Sequence, residues 1–347
     1  MPADAIATAG APSRTARTGD APVLEVEDLN VVFDLRARKL HAVNGVSFSV
    51  KPGELLGIVG ESGSGKSVTL LSLLRLLPSP PARVTGGSVR FDGQELTTID
   101  ERSLRHIRGG RIGYVFQDPM TSLNPVFTVG YQLVEPLRIH LGLSKKEARK
   151  RAAELLRLVG IPSPESRLDA YPHQFSGGMR QRAMIAIALA CEPEVLIADE
   201  PTTALDVTIQ AQILELVRDL RARLGAGVVW ITHDLGVVAG IADRVMVMYA
   251  GQVVEEAPVD ALFEEPTHPY TKALLATLPE AGGRSGRLAS IPGQPPVLSA
   301  PPSSCPFAPR CAAVHARCHE AVPPLMSVGE GHRAACWLAE GSAGGPA

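Results

Sequence analysis

The sequence predicts an α/β fold with a sheet that is partly parallel. Short β-branched runs recur from residue 23 onward, and between the later runs lie stretches with the apolar period of an amphipathic helix. Strands that alternate with helices in this way form βαβ units, in which neighbouring strands run parallel. The predicted strands, in chain order, are 23–26, 31–34, 43–50, 55–59, 88–91, 112–116, 195–198, 228–232 and 245–249.

Length and composition bound the number of domains and the class of protein. With 347 residues the chain exceeds the usual size of one domain, so we expect a large domain with an extension, or two domains. The hydrophobic fraction of 45% is sufficient for a core, and the net charge of −2 argues against a nucleic-acid partner. The longest apolar run, Ala183–Cys191, is much shorter than the roughly 18–20 residues of a membrane-spanning helix.

Both ends of the chain differ in composition from the middle. Residues 1–21 are rich in Ala, Thr, Pro and Ser without periodicity, which predicts a disordered tail, and they lack the apolar segment of a signal peptide. Ten of the 29 prolines lie between 279 and 324, and four of the five cysteines lie between 305 and 336. This composition predicts a separate C-terminal appendage with little regular structure.

Two helices follow from the apolar spacing. In residues 206–224 the apolar positions form one stripe, with Asp206 as a cap at the start and Gly225 at the end. Residues 144–159 form a second stripe. We interpret the Lys and Arg residues of this second helix, at 145, 146, 149, 150 and 151, as a solvated face in preference to a nucleic-acid patch. Cys191 lies in an apolar helix and is expected in the core.

The strongest local signal is the string Gly60-Glu61-Ser62-Gly63-Ser64-Gly65-Lys66-Ser67, which matches G-x-x-x-x-G-K-[ST]. An apolar strand leads into it, and a helical run that begins at Val68 leads out. The glycines allow backbone N–H groups to turn toward a phosphate, and the helix N-terminus adds partial positive charge. Lys66 would hold the β- and γ-phosphates, and Ser67 would ligate Mg²⁺. The alternative is a glycine-rich turn before a core helix.

Two further elements carry groups for phosphate chemistry. The strand 195–198 ends in Asp199, which suits Mg²⁺ coordination, and Glu200, which suits polarisation of an attacking water. Ser176, Gly177 and Gly178 open a helical run and make a second anion-binding geometry. Since one nucleotide needs one cradle, the second implies another phosphate-bearing surface. An ordinary N-cap with a flexible hinge is the alternative.

Together these residues resemble the nucleotide-binding subunit of an ATP-binding cassette (ABC) transporter over about residues 22–338. The motifs occur in the family's order: the Walker A loop (Gly60–Ser67), the Q-loop (Gln117), the signature loop (Phe175–Met179), Walker B (Val195–Asp199, then Glu200), the D-loop (Ala204-Leu205-Asp206) and the switch histidine (His233). The resemblance implies a P-loop NTPase cassette with an antiparallel β subdomain, a helical subdomain and an irregular cysteine-containing appendage.

The resemblance also implies a role for each residue. Those expected to contact ATP are the Walker A loop with Val68, then Gln117, Ser176, Gly177, Gly178, Asp199 and Asp206. Ser67, Gln117 and Asp199 are the expected Mg²⁺ site, and Glu200, His233 and Lys66 are the expected catalytic residues, with His233 stabilising transition-state charge. Two subunits of this family pair head to tail, so the signature loop of one would close on ATP held by the other.

Two positions depart from the family pattern. Met179 stands at the fifth signature position, where glutamine is usual, which removes an amide side chain but leaves the backbone donors. The aromatic residue that stacks on adenine has no clear counterpart, since residues 37–41 are Ala, Arg, Lys, Leu and His. Phe33 and His41 are the candidates, and a core role explains Phe33 equally well.

The finer resemblance is to ATPase subunits of bacterial dipeptide and oligopeptide importers, with nickel importers close by. It rests on the segments 116–125, 171–178, 268–271 and 291–293 and on the cysteine appendage. The appendage cysteines, Cys305, Cys311, Cys318 and Cys336, are separated by five, six and 17 residues. Disulfides are disfavoured in a reducing compartment, and the close pairs typical of structural zinc do not occur.

Four thiolates suit an iron–sulfur cluster, although the spacing alone leaves zinc and free thiols open. The resemblance to peptide importers, in which such a C-terminal cluster occurs, favours [4Fe–4S].

The resulting prediction is an ATP-hydrolysing motor subunit that energises uptake of dipeptides or oligopeptides. It comprises a tail (1–21), a nucleotide-binding domain (22–262, with the helical subdomain at about 118–190) and an extension (263–347). The implied partners are two membrane permease subunits, a second ATP-binding subunit, paralogous in preference to identical, and indirectly an extracytoplasmic binding protein. The chain would lie at the cytoplasmic face of the membrane. A nickel importer ATPase and an ABC ATPase without a membrane partner are the alternatives.

Overall fold

The computed structural model describes residues 20–36, 38–202, 205–278 and 290–341. Most of the predicted tail, Ala204 of the D-loop motif and Pro279 lie outside these ranges. The strands are β1 (Leu24–Leu35), β2 (Arg38–Val50), β3 (Leu55–Val59), β4 (Ala82–Phe91), β5 (Gln94–Glu95), β6 (Ile112–Val115), β7 (Val195–Asp199), β8 (Gly227–Ile231), β9 (Arg244–Tyr249), β10 (Gln252–Pro258), β11 (Met326–Gly329) and β12 (His332–Ala334).

The helices are α1 (Lys66–Leu73), α2 (Glu101–Ile107), α3 (Pro119–Ser122), α4 (Val129–Leu141), α5 (Lys145–Leu158), α6 (Pro164–Arg167), α7 (Gly177–Leu189), α8 (Val207–Leu224), α9 (Leu235–Ile241), α10 (Val259–Glu264), α11 (Pro269–Leu275) and α12 (Arg317–Glu320). In the part of the chain that the structure describes, none of these helices has both the length and the apolar character needed to cross a bilayer.

The chain forms two compact units. Of the described residues, unit 1 comprises those up to Val23, Val50–Glu54 and Ile99–Trp230, and unit 2 comprises Leu24–Ser49, Leu55–Thr98 and those from Ile231 onward. The predicted domain boundary after residue 262 stays a prediction.

Unit 1 contains β6, β7 and most of β8, with the strand order β8-β7-β6, and the helices α2 to α8. Strands β6 and β7 are parallel, with Ile112 opposite Val195. All five residues of β7 are buried, the pattern of a parallel strand covered on both faces. Trp230 is 1% exposed, and a side chain of this size contributes about 1.5–3 kcal/mol or more through its burial. The predicted parallel pairing is confirmed.

The two helices predicted from apolar spacing are confirmed. Asp206 caps α8 by accepting the N–H of Ile209 at 3.0 Å, and Gly225 ends it in the left-handed region at φ +62°. Ser144 opens α5 with a capping box. The predicted solvated face of α5 is wrong for Arg151, which is 8% exposed because its guanidinium pairs with the Glu192 carboxylate at 2.9 Å.

Unit 2 contains an antiparallel sheet in the order β2-β1-β4-β5 and a set of strands in the order β11-β12-β10-β9-β3. In the second set β3 and β9 are parallel, and the other pairs are antiparallel. The two predicted runs 23–26 and 31–34 form a single strand, β1. An irregularity between Glu27 and Asn30, where Asp28 adopts φ +47°, interrupts the alternation without ending the ladder.

A buried carboxylate on β10 fixes the C-terminal segment within unit 2. Glu255 is 0% exposed and accepts the N–H groups of Thr267 at 2.6 Å and His268 at 2.9 Å. Its Oε1 also lies 2.8 Å from Nε2 of His332. Burial lowers the pKa of His268 to about 3, so this imidazole is neutral and its Nδ1 accepts the N–H of Tyr270 at 3.0 Å. The network satisfies polar groups that would otherwise destabilise the fold.

Candidate functional site

The phosphate loop of unit 2 links β3 to α1. Its glycines Gly60, Gly63 and Gly65 adopt φ values of +148°, +81° and +100°, a region that side-chain-bearing residues rarely occupy. A Cβ on Gly60 would lie 2.3 Å from the carbonyl oxygen of Met248, and one on Gly65 would lie 2.6 Å from that of Ala42. Close backbone packing therefore requires glycine at two of the three positions.

Lys66 begins α1 and folds its side chain back across the loop. Its Nζ donates to the carbonyl oxygens of Gly60 at 2.7 Å and Glu61 at 2.9 Å, and lies 3.3 Å from Oγ of Ser64. The side chain is 6% exposed, whereas nothing lies within 4 Å of a Cβ added to Gly63. The loop thus combines a cation with a helix N-terminus, and these features fit a polyphosphate. Ser67, next in the helix, is half-buried.

The structure adds two residues that the sequence analysis did not assign to the loop. The N–H of Glu61 donates to the hydroxyl of Tyr270 at 2.8 Å, and the Glu61 carboxylate pairs with Arg310. Tyr270 lies in a segment used for the family resemblance, but no local pattern ties either residue to the loop. Arg310 is 249 positions away from Glu61 in the chain.

His233 also belongs to unit 2 and occupies the turn between β8 and α9. Thr232, directly before it, is buried, and its Oγ1 accepts the N–H of Asp234 at 3.0 Å. Asp234 caps α9 by accepting the N–H of Gly236 at 2.9 Å. These contacts define the backbone on both sides of the exposed His233, whose catalytic role stays a prediction.

In unit 1 the predicted acidic pair lies at the end of β7. Asp199 is 3% exposed, and Glu200 follows in the left-handed region at φ +47°. A glutamate in this conformation costs about 1–2 kcal/mol, a strain that is common at functional sites. Burial and the neighbouring Asp199 carboxylate raise the pKa of Tyr114, so this phenol stays protonated beside the acid. Gln181 supports the same turn by donating to the Pro201 carbonyl at 2.7 Å.

The signature loop is exposed in unit 1 at Ser176 and Gly177. Ser176 Oγ accepts the N–H of Met179 at 3.3 Å and so caps α7, as the alternative of an ordinary N-cap predicts. Nothing lies within 4 Å of a Cβ added to Gly177, and Gly178 has only Leu205 nearby, at 3.5 Å. A cap and an accessible glycine pair are compatible with binding an anion, which stays a prediction.

The remaining predicted residues are placed as follows. Gln117 is exposed after β6, and Asp206 is exposed where it caps α8. Cys191 is 2% exposed, which confirms its assignment to the core, but it follows the end of α7 and so the prediction that it lies in a helix is wrong. Phe33 and His41, the candidates for stacking on adenine, are both half-buried in unit 2. Walker A and His233 therefore lie in unit 2, whereas Gln117, the signature loop, Asp199, Glu200 and Asp206 lie in unit 1.

The four C-terminal cysteines line a single small cavity together with Phe307 and Trp337. All four are free thiols, and the N–H of Cys305 donates to the carbonyl of Cys318 at 3.0 Å. Burial, and secondarily the neighbouring thiols, raise the pKa values of Cys305, Cys311 and Cys336.

Across the described residues, no three His, Cys, Asp or Glu side chains are already arranged around the position of a single metal ion. The cavity lined by the four cysteines therefore gives the predicted [4Fe–4S] cluster no direct support, and the cluster stays a prediction.

Two family models match the chain. Residues 43–203 match the model described as ABC transporter, and residues 254–318 match the model described as oligopeptide/dipeptide transporter, C-terminal region. Both matches agree with the resemblance stated from the sequence. The second includes Cys305, Cys311 and Cys318.

Known proteins of the same kind are closely similar. A Sinorhizobium fredii protein named "Probable peptide ABC transporter ATP-binding protein y4tR" is 57% identical over 316 residues, covering 91% of this chain and 94% of that protein. The oligopeptide transport ATP-binding protein OppD of Bacillus subtilis is 52% identical over 318 residues, covering 91% and 88%. The dimeric structure of the ATP-binding cassette MJ0796 in a post-hydrolysis state with ADP and Pi has a TM-score of 0.63 and 32% identity, covering 68% of this chain and 98% of that chain. The predicted fold class is confirmed.

Proposed function

This chain belongs to the family of peptide ABC transporter ATP-binding proteins, and from that premise we propose that it hydrolyses ATP to drive peptide uptake through separate membrane permease chains. The observation that carries the proposal is the phosphate loop, in which Lys66 lies across a backbone built from Gly60, Gly63 and Gly65. The match of residues 254–318 to the oligopeptide/dipeptide region supports peptides over nickel as the substrate class.

In the proposed reaction a water attacks the γ-phosphate in line with the leaving β-phosphate oxygen. Glu200 orients this water and accepts its proton, and Lys66 stabilises the charge on the phosphates. His233 stabilises charge on the γ-phosphate in the transition state. Ser67, Gln117 and Asp199 are the residues proposed to hold Mg²⁺, which would supply neutralisation of the phosphate charge.

A second ATP-binding subunit completes each site in this proposal. Ser176, Gly177 and Gly178 would approach the γ-phosphate of ATP held by the partner, and Asp206 would lie beside the same nucleotide. The exposure of Ser176 and Gly177 supports a role in contact with another chain. Hydrolysis would release this contact, because the γ-phosphate that it binds is lost.

The permease partners are proposed to dock on the helical part of unit 1, at the cytoplasmic face of the membrane. Large apolar side chains are exposed there between residues 120 and 171, namely Met120 (63%), Val126 (70%), Phe127 (41%), Tyr131 (50%), Ile139 (59%) and Tyr171 (40%). The rings of Phe127 and Tyr131 stack with centroids 4.6 Å apart, which gives the surface a rigid aromatic element. Exposed apolar groups of this kind favour an interaction surface over open solvent.

We expect the chain to co-purify with membrane permease subunits and, together with them, to drive ATP-dependent peptide uptake in proteoliposomes. Val126→Asp should reduce the recovery of permease, because it places a charge in the docking surface. Val297→Asp is the matched control, since Val297 is 63% exposed outside that surface. ATP hydrolysis without permease binding would instead favour an ABC ATPase that has no membrane partner. Uptake of Ni²⁺ and not of peptides would favour the nickel importer.

For the appendage we propose that Cys305, Cys311, Cys318 and Cys336 hold a [4Fe–4S] cluster. The proposal rests on the resemblance to peptide importers, and the shared cavity and the absence of disulfides among the described cysteines are compatible with it. Such a cluster would cross-link the segment that carries α12, β11 and β12.

Anaerobically purified protein is expected to contain iron and acid-labile sulfide in equal amounts and to be brown. Cys318→Ser should lose most of both, because it removes one of four ligands. Cys191→Ser is the control and should retain them, because Cys191 lies in unit 1, outside the cavity. A colourless protein with one bound zinc would refute the cluster in favour of zinc, and one without any metal would favour free thiols.

A further inference from the structure

The phosphate loop is held at its second residue by two side chains from the C-terminal segment. The hydroxyl of Tyr270 accepts the N–H of Glu61 at 2.8 Å. Arg310 donates to both oxygens of the Glu61 carboxylate, from Nη1 at 2.6 Å and from Nη2 at 3.0 Å. Both residues follow the predicted end of the nucleotide-binding domain at residue 262. A segment outside the ATPase motifs therefore touches the loop that carries them.

Arg310 is built into its position. Its side chain is 4% exposed, and its other hydrogen bonds go to the carbonyls of Pro292 at 2.8 Å and Ile291 at 3.2 Å and to the hydroxyl of Tyr249 at 3.3 Å. With the two bonds to Glu61 these contacts match the five N–H donors of a guanidinium. The pKa of Arg310 is raised, above all by its hydrogen bonds to Glu61. A lysine at this position would offer a single ammonium and would lose the paired geometry.

Arg310 also ends a short turn that the cysteine segment holds. The turn, Ala308–Arg310, begins with the Ala308 N–H donating to the carbonyl of Cys305 at 3.1 Å and is closed by the Cys311 N–H donating to the carbonyl of Ala308 at 3.3 Å. The ring of Phe307 packs on Tyr249 and Tyr270, with centroids 5.3 Å from each. One packed cluster therefore holds both Arg310 and Tyr270 in contact with the phosphate loop.

Glu61 also contacts the catalytic lysine, Lys66. The carbonyl of Glu61 accepts a hydrogen bond from Nζ of Lys66 at 2.9 Å. Glu61 is therefore fixed at its N–H by Tyr270, at its carboxylate by Arg310 and at its carbonyl by Lys66. A loop whose backbone donors are already in place binds phosphate without first having to be ordered, which increases affinity.

We propose that Arg310 and Tyr270 are positioning residues of the nucleotide site: they order the phosphate loop through Glu61, and the C-terminal segment thereby sets the affinity for ATP. This inference rests on the proposed function, since it assumes that the loop binds ATP. It assigns to residues of the peptide-transporter region a role in nucleotide binding.

The test measures the Kd for a fluorescent ATP analogue with Mg²⁺, and the KM and kcat for ATP, on the full chain. We expect Arg310→Ala and Arg310→Lys to raise Kd and KM about tenfold or more and to change kcat at saturating ATP less than about twofold. Tyr270→Phe, which removes only the hydroxyl, should raise Kd severalfold. Glu61→Gln combined with Arg310→Ala should be no weaker than Arg310→Ala alone, because the arginine acts through Glu61.

Arg333→Ala is the matched control. Arg333 lies on β12 in the same C-terminal segment and pairs with Glu256, but the structure gives it no contact with the loop. The Arg333→Ala variant should bind the analogue with the same Kd as the parent chain. Equal weakening in Arg333→Ala and Arg310→Ala would overturn the proposal in favour of general loosening of the segment, and so would an unchanged Kd in Arg310→Lys.

Thermal unfolding and iron content are recorded for every variant. If Arg310→Ala does not fold, Glu61→Gln and Tyr270→Phe decide the question, because both keep the shape of the original side chain. Binding of the analogue by the parent chain needs no permease. If the parent chain does not bind the analogue, the proposed function is contradicted. If the parent chain binds the analogue and the variants bind it equally tightly, only this inference is contradicted.

Discussion

Replacing Glu200 with glutamine is expected to leave ATP binding unchanged and to reduce steady-state hydrolysis about 10²- to 10⁴-fold, the usual contribution of a positioned general base. Glutamine has the same shape, so the turn after Asp199 should persist, including the left-handed backbone at φ +47°. It cannot accept the proton of the attacking water. The measurements are phosphate release with Mg²⁺–ATP and the Kd for a fluorescent ATP analogue.

Glu215→Gln is a suitable control for this substitution. Glu215 is exposed on α8 in the same unit, and replacing it with glutamine removes the same charge without changing the turn after Asp199. If Glu200→Gln hydrolyses ATP at the parent rate, Glu200 is not the base. A loss of ATP binding together with turnover would indicate instead that the substitution disrupts the site as a whole.

Gly65→Ala is expected to weaken ATP binding about tenfold or more, because it displaces the phosphate loop. The new Cβ would lie 2.6 Å from the carbonyl oxygen of Ala42 and 3.2 Å from Cα of Gly251, and backbone at these positions cannot move aside as a side chain can. The left-handed backbone at φ +100° adds strain of about 1–2 kcal/mol. Binding of the fluorescent analogue and the thermal unfolding temperature are the measurements.

Gly53→Ala separates the effect of steric collision from the effect of backbone strain, because it introduces strain without a collision. Gly53 has φ +71°, but nothing lies within 4 Å of its added Cβ, and it lies in the turn between β2 and β3. It should lose stability of about 1 kcal/mol and keep the affinity for ATP. Comparable losses of affinity in both variants would show that close approach to Ala42 is not the reason for a glycine at position 65.

Much of the fold was predictable because its signals are local. The stripe that became α8, with Asp206 and Gly225 at its ends, depends on residues within a turn or two of each other. The same is true of β7, which was predicted from the continuous apolar run at 195–198 and whose five residues are all buried in the structure. The prediction failed where a distant residue decided the outcome. Arg151 was assigned to solvent, but it pairs with Glu192, 41 positions away in the chain.

The candidate site divides in the same way. The glycines, Lys66 and the acids of Walker B form motifs within a few residues, so their order along the chain identified them. The supports of the loop did not form a motif. Tyr270 and Arg310 reach Glu61 across 209 and 249 positions, and neither the spacing nor the composition of the intervening chain indicates the contact.

The sequence by itself determined the chemistry of the site: a phosphate loop, an acidic strand end, a signature loop and four cysteines in the order of one family. These features depend on backbone conformations and side-chain groups that neighbouring residues define. Only the tertiary structure decided which groups support them. It brought the four cysteines to one cavity and Arg310 to Glu61. The physical reason is that the entropy of closing a long loop changes little with its length, so many distant pairings have similar cost and packing selects among them.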